Sequence, residues 1–426
     1  MKTILSIIKY ALTFLLVLGF LFSLLVLATL VPREAIKENM LESAEYMRDG
    51  SEYFQIVDFI KASRIDHYAD TITLSIAYYL DANNPVKSSM LASYYRKESG
   101  QMNEFLAEGI LQGLPENQEY IRYWHGSAAV IRFLHLFWNI KTIYIIHATL
   151  MAGLYFRLLI LLFKKGMLPE AIAFSLSMIA VSVWYVPLCL EYTWMFLVMF
   201  VATVLSLCLA EKNFGIFFLM IGMIAAYLDF LTTETLTLLI PLLFILRIRS
   251  RQGIGGNWAI TVKSSITWGV GFVGMWASKW VLASVILGEN VMPYVTGHID
   301  ERLSGYLGVP LENYITVAIA RNLKCLFPYE YGISGAVLVF AFIIVVVIIP
   351  VARNKVTIRE KINKQIIPLY LLIALVPFIR FAVLRNHSYA HRFFTHRALA
   401  STVLALCFVV LELVQLNPRK AVMKNA

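Results

Sequence analysis

Residues 10–31 read YALTFLLVLGFLFSLLVLATLV, an uncharged apolar run preceded by Lys2 and Lys9. A helix needs about 20 such residues to cross the hydrocarbon core of a bilayer. The run is longer than the roughly 7–15 apolar residues of a secretory leader, and no small-x-small cleavage pattern follows it. An uncleaved first span is expected. The next long apolar run, 142–163, ends at Lys164-Lys165. Lysine and arginine gather on the cytoplasmic side of membrane spans. Residues 32–140 are therefore expected to form a large extracytoplasmic loop.

The charge distribution agrees. Residues 32–125 hold 15 of the 27 acidic residues and 9 of the 37 basic ones, a local charge of −6 in a chain whose net charge is +10. Much of the remaining basic charge lies in short connections such as Lys164-Lys165, Arg247 to Arg251 and Arg353 to Lys364. These read as orientation charges facing anionic cytoplasmic lipid, not as a nucleic-acid footprint.

Over the whole chain 59% of residues are hydrophobic, 15% are charged, and mean hydropathy is +0.70. Soluble domains carry about 25% charged residues. The composition gives an all-α integral membrane protein, because the apolar runs are continuous and not alternating. About ten spans are expected, near 10–31, 142–163, 169–188, 191–210, 214–231, 235–247, 264–287, 333–351, 366–384 and 398–416. The chain is taken as one polytopic domain over 1–426, in the plasma membrane, with both termini cytoplasmic. No internal repeat or inverted pair of broken helices marks a transporter. The four cysteines show neither metal-ligand spacing nor a disulfide framework.

Within the first loop, residues 37–62 and 68–80 place apolar residues at helical spacing, and 126–140 suits a helix lying in the outer interface. Arg64-Ile65-Asp66-His67-Tyr68-Ala69-Asp70 carries two carboxylates four residues apart. On a helix they would share one face, and at close range one would have a raised pKa. Such a carboxylate can take a proton from a hydroxyl nucleophile, although two solvated acids on an exposed face would give the same spacing. Arg122-Tyr123-Trp124-His125-Gly126 combines aromatic faces with polar edges, as a sugar site does, and equally as an interfacial aromatic belt does. Asp229 and Glu234 flank a tight, threonine-rich outer connection, which is either a polar cavity or an ordinary turn.

Lys279 and Arg380 lie near the outer ends of two spans, where a cation must find an anion or snorkel. Residues 385–397 add three arginines and three histidines on the outer side, against the orientation bias. A lipid phosphate would suit them, and so would generic headgroups. His387 and His391 have no adjacent carboxylate or cysteine, so no metal site is assigned and a divalent ion is not indicated. No phosphate-binding loop, dinucleotide fingerprint or nucleophile elbow is present, so the donor is expected to come through the membrane.

These stretches, Asp66 to Asp70, Tyr123 to Gly126, Tyr227 to Glu234, Trp276 to Trp280 and Asn386 to Arg397, together resemble the GT-C superfamily of polytopic bacterial glycosyltransferases. The resemblance is one of architecture. It implies transfer of a sugar from a polyprenyl-phosphate donor to an envelope glycan, lipid or protein acceptor on the outer face, with no cofactor. It implies Asp66 as base and Asp70 as helper. Lys279, Arg380, His387, His391 and Arg397 would hold the donor phosphate, and Tyr123, Trp124, His125, Asp229 and Glu234 the sugar or acceptor. An envelope polysaccharide polymerase or ligase, or a non-enzymatic lipid or glycan transporter, would share the membrane architecture.

Overall fold

A computed structural model describes residues 2–209, 211–303, 311–344, 356–359 and 363–416. Its fold is all-α. The apolar run around residues 10–31 is helix α1 (Lys2–Thr29), and Pro32 precedes α2 (Arg33–Arg48). A short antiparallel hairpin follows, β1 (Tyr53–Gln55) against β2 (Arg64–Asp66), with Tyr53 opposite Asp66. Then come α3 (His67–Tyr79), α4 (Pro85–Leu91), α5 (Met102–Gln112) and α6 (Gly126–Leu134).

The helix expected over 37–62 thus stops at Arg48. The Asn103 amide donates to the carbonyls of Met47 at 2.9 Å and Gly50 at 2.7 Å, closing the end of α2. The backbone passes close to His67 at Gly50, where a Cβ would lie 3.0 Å from Nδ1 of that ring. Tyr53 and Phe54, which also fit helical spacing, pair into the hairpin instead.

Buried Met40, Ala44, Met47, Leu74, Ile76, Phe105 and Leu106 form the core of this segment. Helix α6, expected in the interface, buries one face. Its Arg132 guanidinium donates to the carbonyls of Val31 at 2.6 Å and Tyr78 at 3.0 Å, tying the end of α1 to that of α3. Phe133, Phe137 and Trp138 face outward.

The second half is a helical bundle: α7 (Ile140–Lys164), α8 (Leu168–Ala180), α9 (Leu190–Ser206), α10 (Phe214–Leu228), α11 (Leu236–Arg251), α12 (Asn257–Leu287), α13 (Met292–Leu303), α14 (Leu311–Leu323), α15 (Gly332–Ile343), α16 (Ile367–Val383), α17 (Arg385–Ala390), α18 (Arg392–Thr395) and α19 (Ala400–Leu413). Among the described residues, four helices are long and apolar enough to cross a membrane: Ile4–Thr29, Ile140–Lys164, Asn257–Leu287 and Arg392–Leu413. Leu168–Ala180, Leu190–Ser206, Phe214–Leu228 and Ile367–Val383 are apolar but shorter. Helices therefore stand at the ten expected places, four of them at spanning length. Residues 345–351 of the expected eighth span lie outside the described residues. Apolar side chains also cover the outside of the bundle, among them Leu12, Leu16 and Phe20 of α1, Phe156 and Phe163 of α7, and Val273, Val281 and Val285 of α12. An apolar surface that extensive is typical of a lipid contact.

The bundle has two chemically different ends. At one, Arg247 of α11 binds Glu170 of α8 at 2.8 Å and Glu412 of α19 at 2.6 Å, all buried. At the other, the hairpin and α3 meet the start of α9 and the loops after α10 and α16.

Candidate functional site

The second end holds the site. Asp66 closes β2 and is the N-cap of α3, where its carboxylate accepts the Ala69 N–H at 2.9 Å. Burial pushes this carboxyl up to about 7. The Ala69 N–H opposes the rise and the nearby charge of Asp70 adds to it. Asp66 lines a cavity of about 440 Å³ together with Tyr53, Tyr68, Glu191, Tyr120, Arg122, Tyr123, Phe230, His387 and His391. That volume is within the roughly 300–1,000 Å³ of small-molecule sites.

Asp70, one turn on, has a different environment. Its Oδ2 accepts the Tyr144 hydroxyl at 2.5 Å and the Leu190 N–H at 2.8 Å. Its Oδ1 accepts the Glu191 N–H and the Cys189 thiol, both at 3.2 Å. Asp70 is thus a remote cap for α9, placing negative charge where the helix dipole is positive. Burial still raises its carboxyl to about 6 against all four donors. The spacing that suggested a shared helix face does not apply, because Asp66 sits before the helix and Asp70 within it.

The cavity walls are ordered by aromatic packing. Tyr53 stacks on Tyr68 with centroids 6.0 Å apart. The Arg64 guanidinium lies 4.0 Å from the Tyr53 ring centre and 4.4 Å from that of Phe393. The rings of His387 and His391, one helical turn apart, are 4.8 Å from each other. His387 Nε2 donates to the Leu231 carbonyl at 2.8 Å, which fixes its tautomer.

Of the residues expected at a site, the cavity gathers Asp66, Tyr123, His387 and His391. The others do not line it. Arg380 binds the Glu234 carboxylate at 2.6 and 3.0 Å and the carbonyls of Leu231 at 2.5 Å and Thr232 at 3.1 Å. The Lys279 ammonium donates to the carbonyls of Met90 at 2.7 Å and Ser89 at 3.3 Å. Arg397 donates to the carbonyls of Ala62 at 2.9 Å and Phe393 at 3.1 Å, over the Tyr192 ring. Asp229 accepts the Thr232 N–H at 3.1 Å. Trp124 donates to the Met275 carbonyl at 2.6 Å, and His125 Nε2 donates to that of Tyr120 at 2.8 Å. Those contacts position the walls.

Sequence reasoning did not assign site roles to Arg122, Tyr68 or Glu191. Arg122 and Tyr68 were inside the motifs already singled out. Glu191 stands in the first turn of an apolar helix, where a carboxylate favours the dipole.

Arg122, Tyr123 and His298 also line a second, apolar cavity of about 260 Å³, walled by Leu231, Trp276, Trp280, Ile299 and Leu384. The Arg122 guanidinium hydrogen-bonds Nδ1 of His298 at 2.8 Å and the Tyr120 hydroxyl at 2.6 Å. A polar cavity with a poised carboxylate and an apolar groove thus share one arginine. Among the described residues, no group of three or more His, Cys, Asp or Glu side chains is placed to hold a metal ion.

No family model matches the chain, and neither a curated protein nor a solved structure matches it.

Proposed function

We propose that this chain is a multi-pass membrane glycosyltransferase of GT-C-like architecture. It moves a sugar from a polyprenyl-phosphate donor to an envelope glycan, lipid or protein acceptor, with Asp66 as general base. The supporting observation is the junction at Arg122. It joins a polar cavity holding Asp66, whose carboxyl is raised to about 7, to an apolar groove under Trp276 and Trp280. A substrate that is half sugar and half lipid, with an anion between, has that distribution of chemistry.

In the reaction, an acceptor hydroxyl attacks the anomeric carbon as its bond to the phosphate oxygen breaks. Asp66 takes the hydroxyl proton. Its pKa near neutrality leaves much of it ionised at pH 7 while keeping it a competent base. The phosphate leaves on the lipid, and Arg122 at the cavity junction offers it charge-assisted hydrogen bonds that strengthen as negative charge develops. Tyr68, Tyr120 and Tyr123 offer faces and hydroxyls to the sugar.

The acidic composition of residues 32–125 and the basic chain end of α11 support an extracytoplasmic site. Purified protein given a polyprenyl-phosphate sugar and envelope acceptors should release polyprenyl phosphate, and Asp66→Asn should not. A cysteine placed at the exposed Asn83, in a Cys208→Ser background, should react with an impermeant thiol reagent on intact cells. Labelling only after lysis, or donor turnover equal in Asp66→Asn, would overturn the reading.

A further inference from the structure

A further cavity, about 1040 Å³, shares no lining residue with the Asp66 cavity among the described residues. Among the described residues four cations line it: Lys61, Arg321, Lys324 and Arg392. Among the described lining residues Glu330 is the only carboxylate, one negative charge against four positive ones, and it faces Arg392 and Lys61. It accepts the N–H of Ala62 at 3.0 Å and also that of Lys61. The Arg321 guanidinium carbon lies over the Tyr389 ring, 3.9 Å from its centre. Burial, and then the neighbouring charge of Arg392, hold Arg321 below the ordinary arginine range. Like charges crowded together cost free energy that an anion would relieve. The remaining wall is apolar, with Leu326, Ile333 and Phe340.

We propose that this cavity binds the phosphate headgroup of a membrane amphiphile. The four cations take the phosphate, and the Ile333–Phe340 wall takes the first carbons of its chain. Arginines provide planar forks suited to phosphate oxygens. The ligand's chemistry is shared by an anionic phospholipid and by a polyprenyl phosphate. The site stands independently of the transfer reaction. Occupancy would also bear on the strand that carries Asp66, because Lys61 and Ala62 lie immediately before β2.

The test is native mass spectrometry of the full chain in detergent with three probes: phosphatidylglycerol, a polyprenyl monophosphate and phosphatidylcholine. Measured in an Arg122→Gln background, so that the donor site adds no adduct, one saturable adduct is expected with either phosphate-headed anion, and weak, unsaturable binding with phosphatidylcholine. The paired variant Arg321→Gln with Arg392→Gln should weaken that adduct about 10–100-fold. Arg321→Lys with Arg392→Lys should retain part of it. Tighter binding of phosphatidylglycerol makes this a membrane-lipid site, and tighter binding of the polyprenyl phosphate makes it a second carrier subsite. If the paired glutamine variant does not fold, the exposed single variant Lys324→Gln, with inorganic pyrophosphate as competitor, gives the same reading. Asp66→Asn should bind as the parent does, so a failed transfer reaction leaves this result intact. Unchanged anion binding in the folded variants, or equal saturable binding of phosphatidylcholine, overturns the proposal.

Discussion

Replacing each of the two carboxylates of α3 by its amide should give opposite results. In Asp70→Asn one oxygen becomes an NH2 group. Either oxygen is facing donors: Oδ2 the Tyr144 hydroxyl and Leu190 N–H, Oδ1 the Glu191 N–H and Cys189 thiol. Whichever way the amide turns, a backbone N–H in the first turn of α9 loses its acceptor and meets another donor. An orphaned buried donor costs roughly 1–3 kcal/mol. Removing the charge at the helix N-terminus adds about 0.3–2 kcal/mol. Asp70→Asn should therefore lose roughly 1–5 kcal/mol of stability.

Asp66→Asn is different. Its carboxylate holds one N–H, that of Ala69, and asparagine caps helices as well as aspartate does. Near pH 4, below the window in which the raised carboxyl costs stability, stability should move by less than about 1 kcal/mol, while at neutral pH turnover falls about 10²–10⁴-fold, the usual contribution of a general base. Unfolding of the purified protein in one detergent, paired with release of polyprenyl phosphate, measures both. An Asp70→Asn protein as stable as the parent would refute the capping role. Full turnover in Asp66→Asn would refute the base.

Three further outcomes follow from the same contacts. Turnover should rise with pH through about 7 as Asp66 ionises. Its folded pKa lies above the unfolded value of about 3.9, so the folded state binds more protons between the two. Stability should therefore decline as pH rises across that window, and Asp66→Asn should remove part of the decline, which a pH series of thermal unfolding would detect. Arg380→Met should destabilise by about 3–5 kcal/mol because it leaves Glu234 buried and unpaired. Adding Glu234→Leu should recover most of that loss in the same unfolding assay. Arg122→Gln should lower kcat/KM for the donor about 10–100-fold, and Trp280→Ala should raise KM for long-chain donors more than for short-chain ones, both read in the transfer assay.

The sequence by itself determined where the long apolar helices lie and which segment of the chain is acidic. Both are local properties: an uncharged run of about 20 residues is helical in a membrane whatever surrounds it, and charge counts do not depend on packing. Residues 53–55 misled the periodicity, because a strand of three residues is too short to reveal its own period. The availability of each polar side chain was decided by tertiary structure alone. Asp70 is consumed by donors from α7 and α9, 74 and 120 residues away in sequence. Lys279, Arg380 and Arg397 carried the marks of phosphate ligands because a buried cation must have a partner. The fold supplies those partners internally, in Glu234 and in the carbonyls of Ala62, Met90 and Leu231. Arg122, one residue of a motif chosen for its aromatics, instead stands where two cavities meet. A buried charge announces in sequence that it is paired. Only the folded chain decides whether the pair is made within the protein or left for a ligand, because the partner's distance along the chain bears no relation to its distance in space.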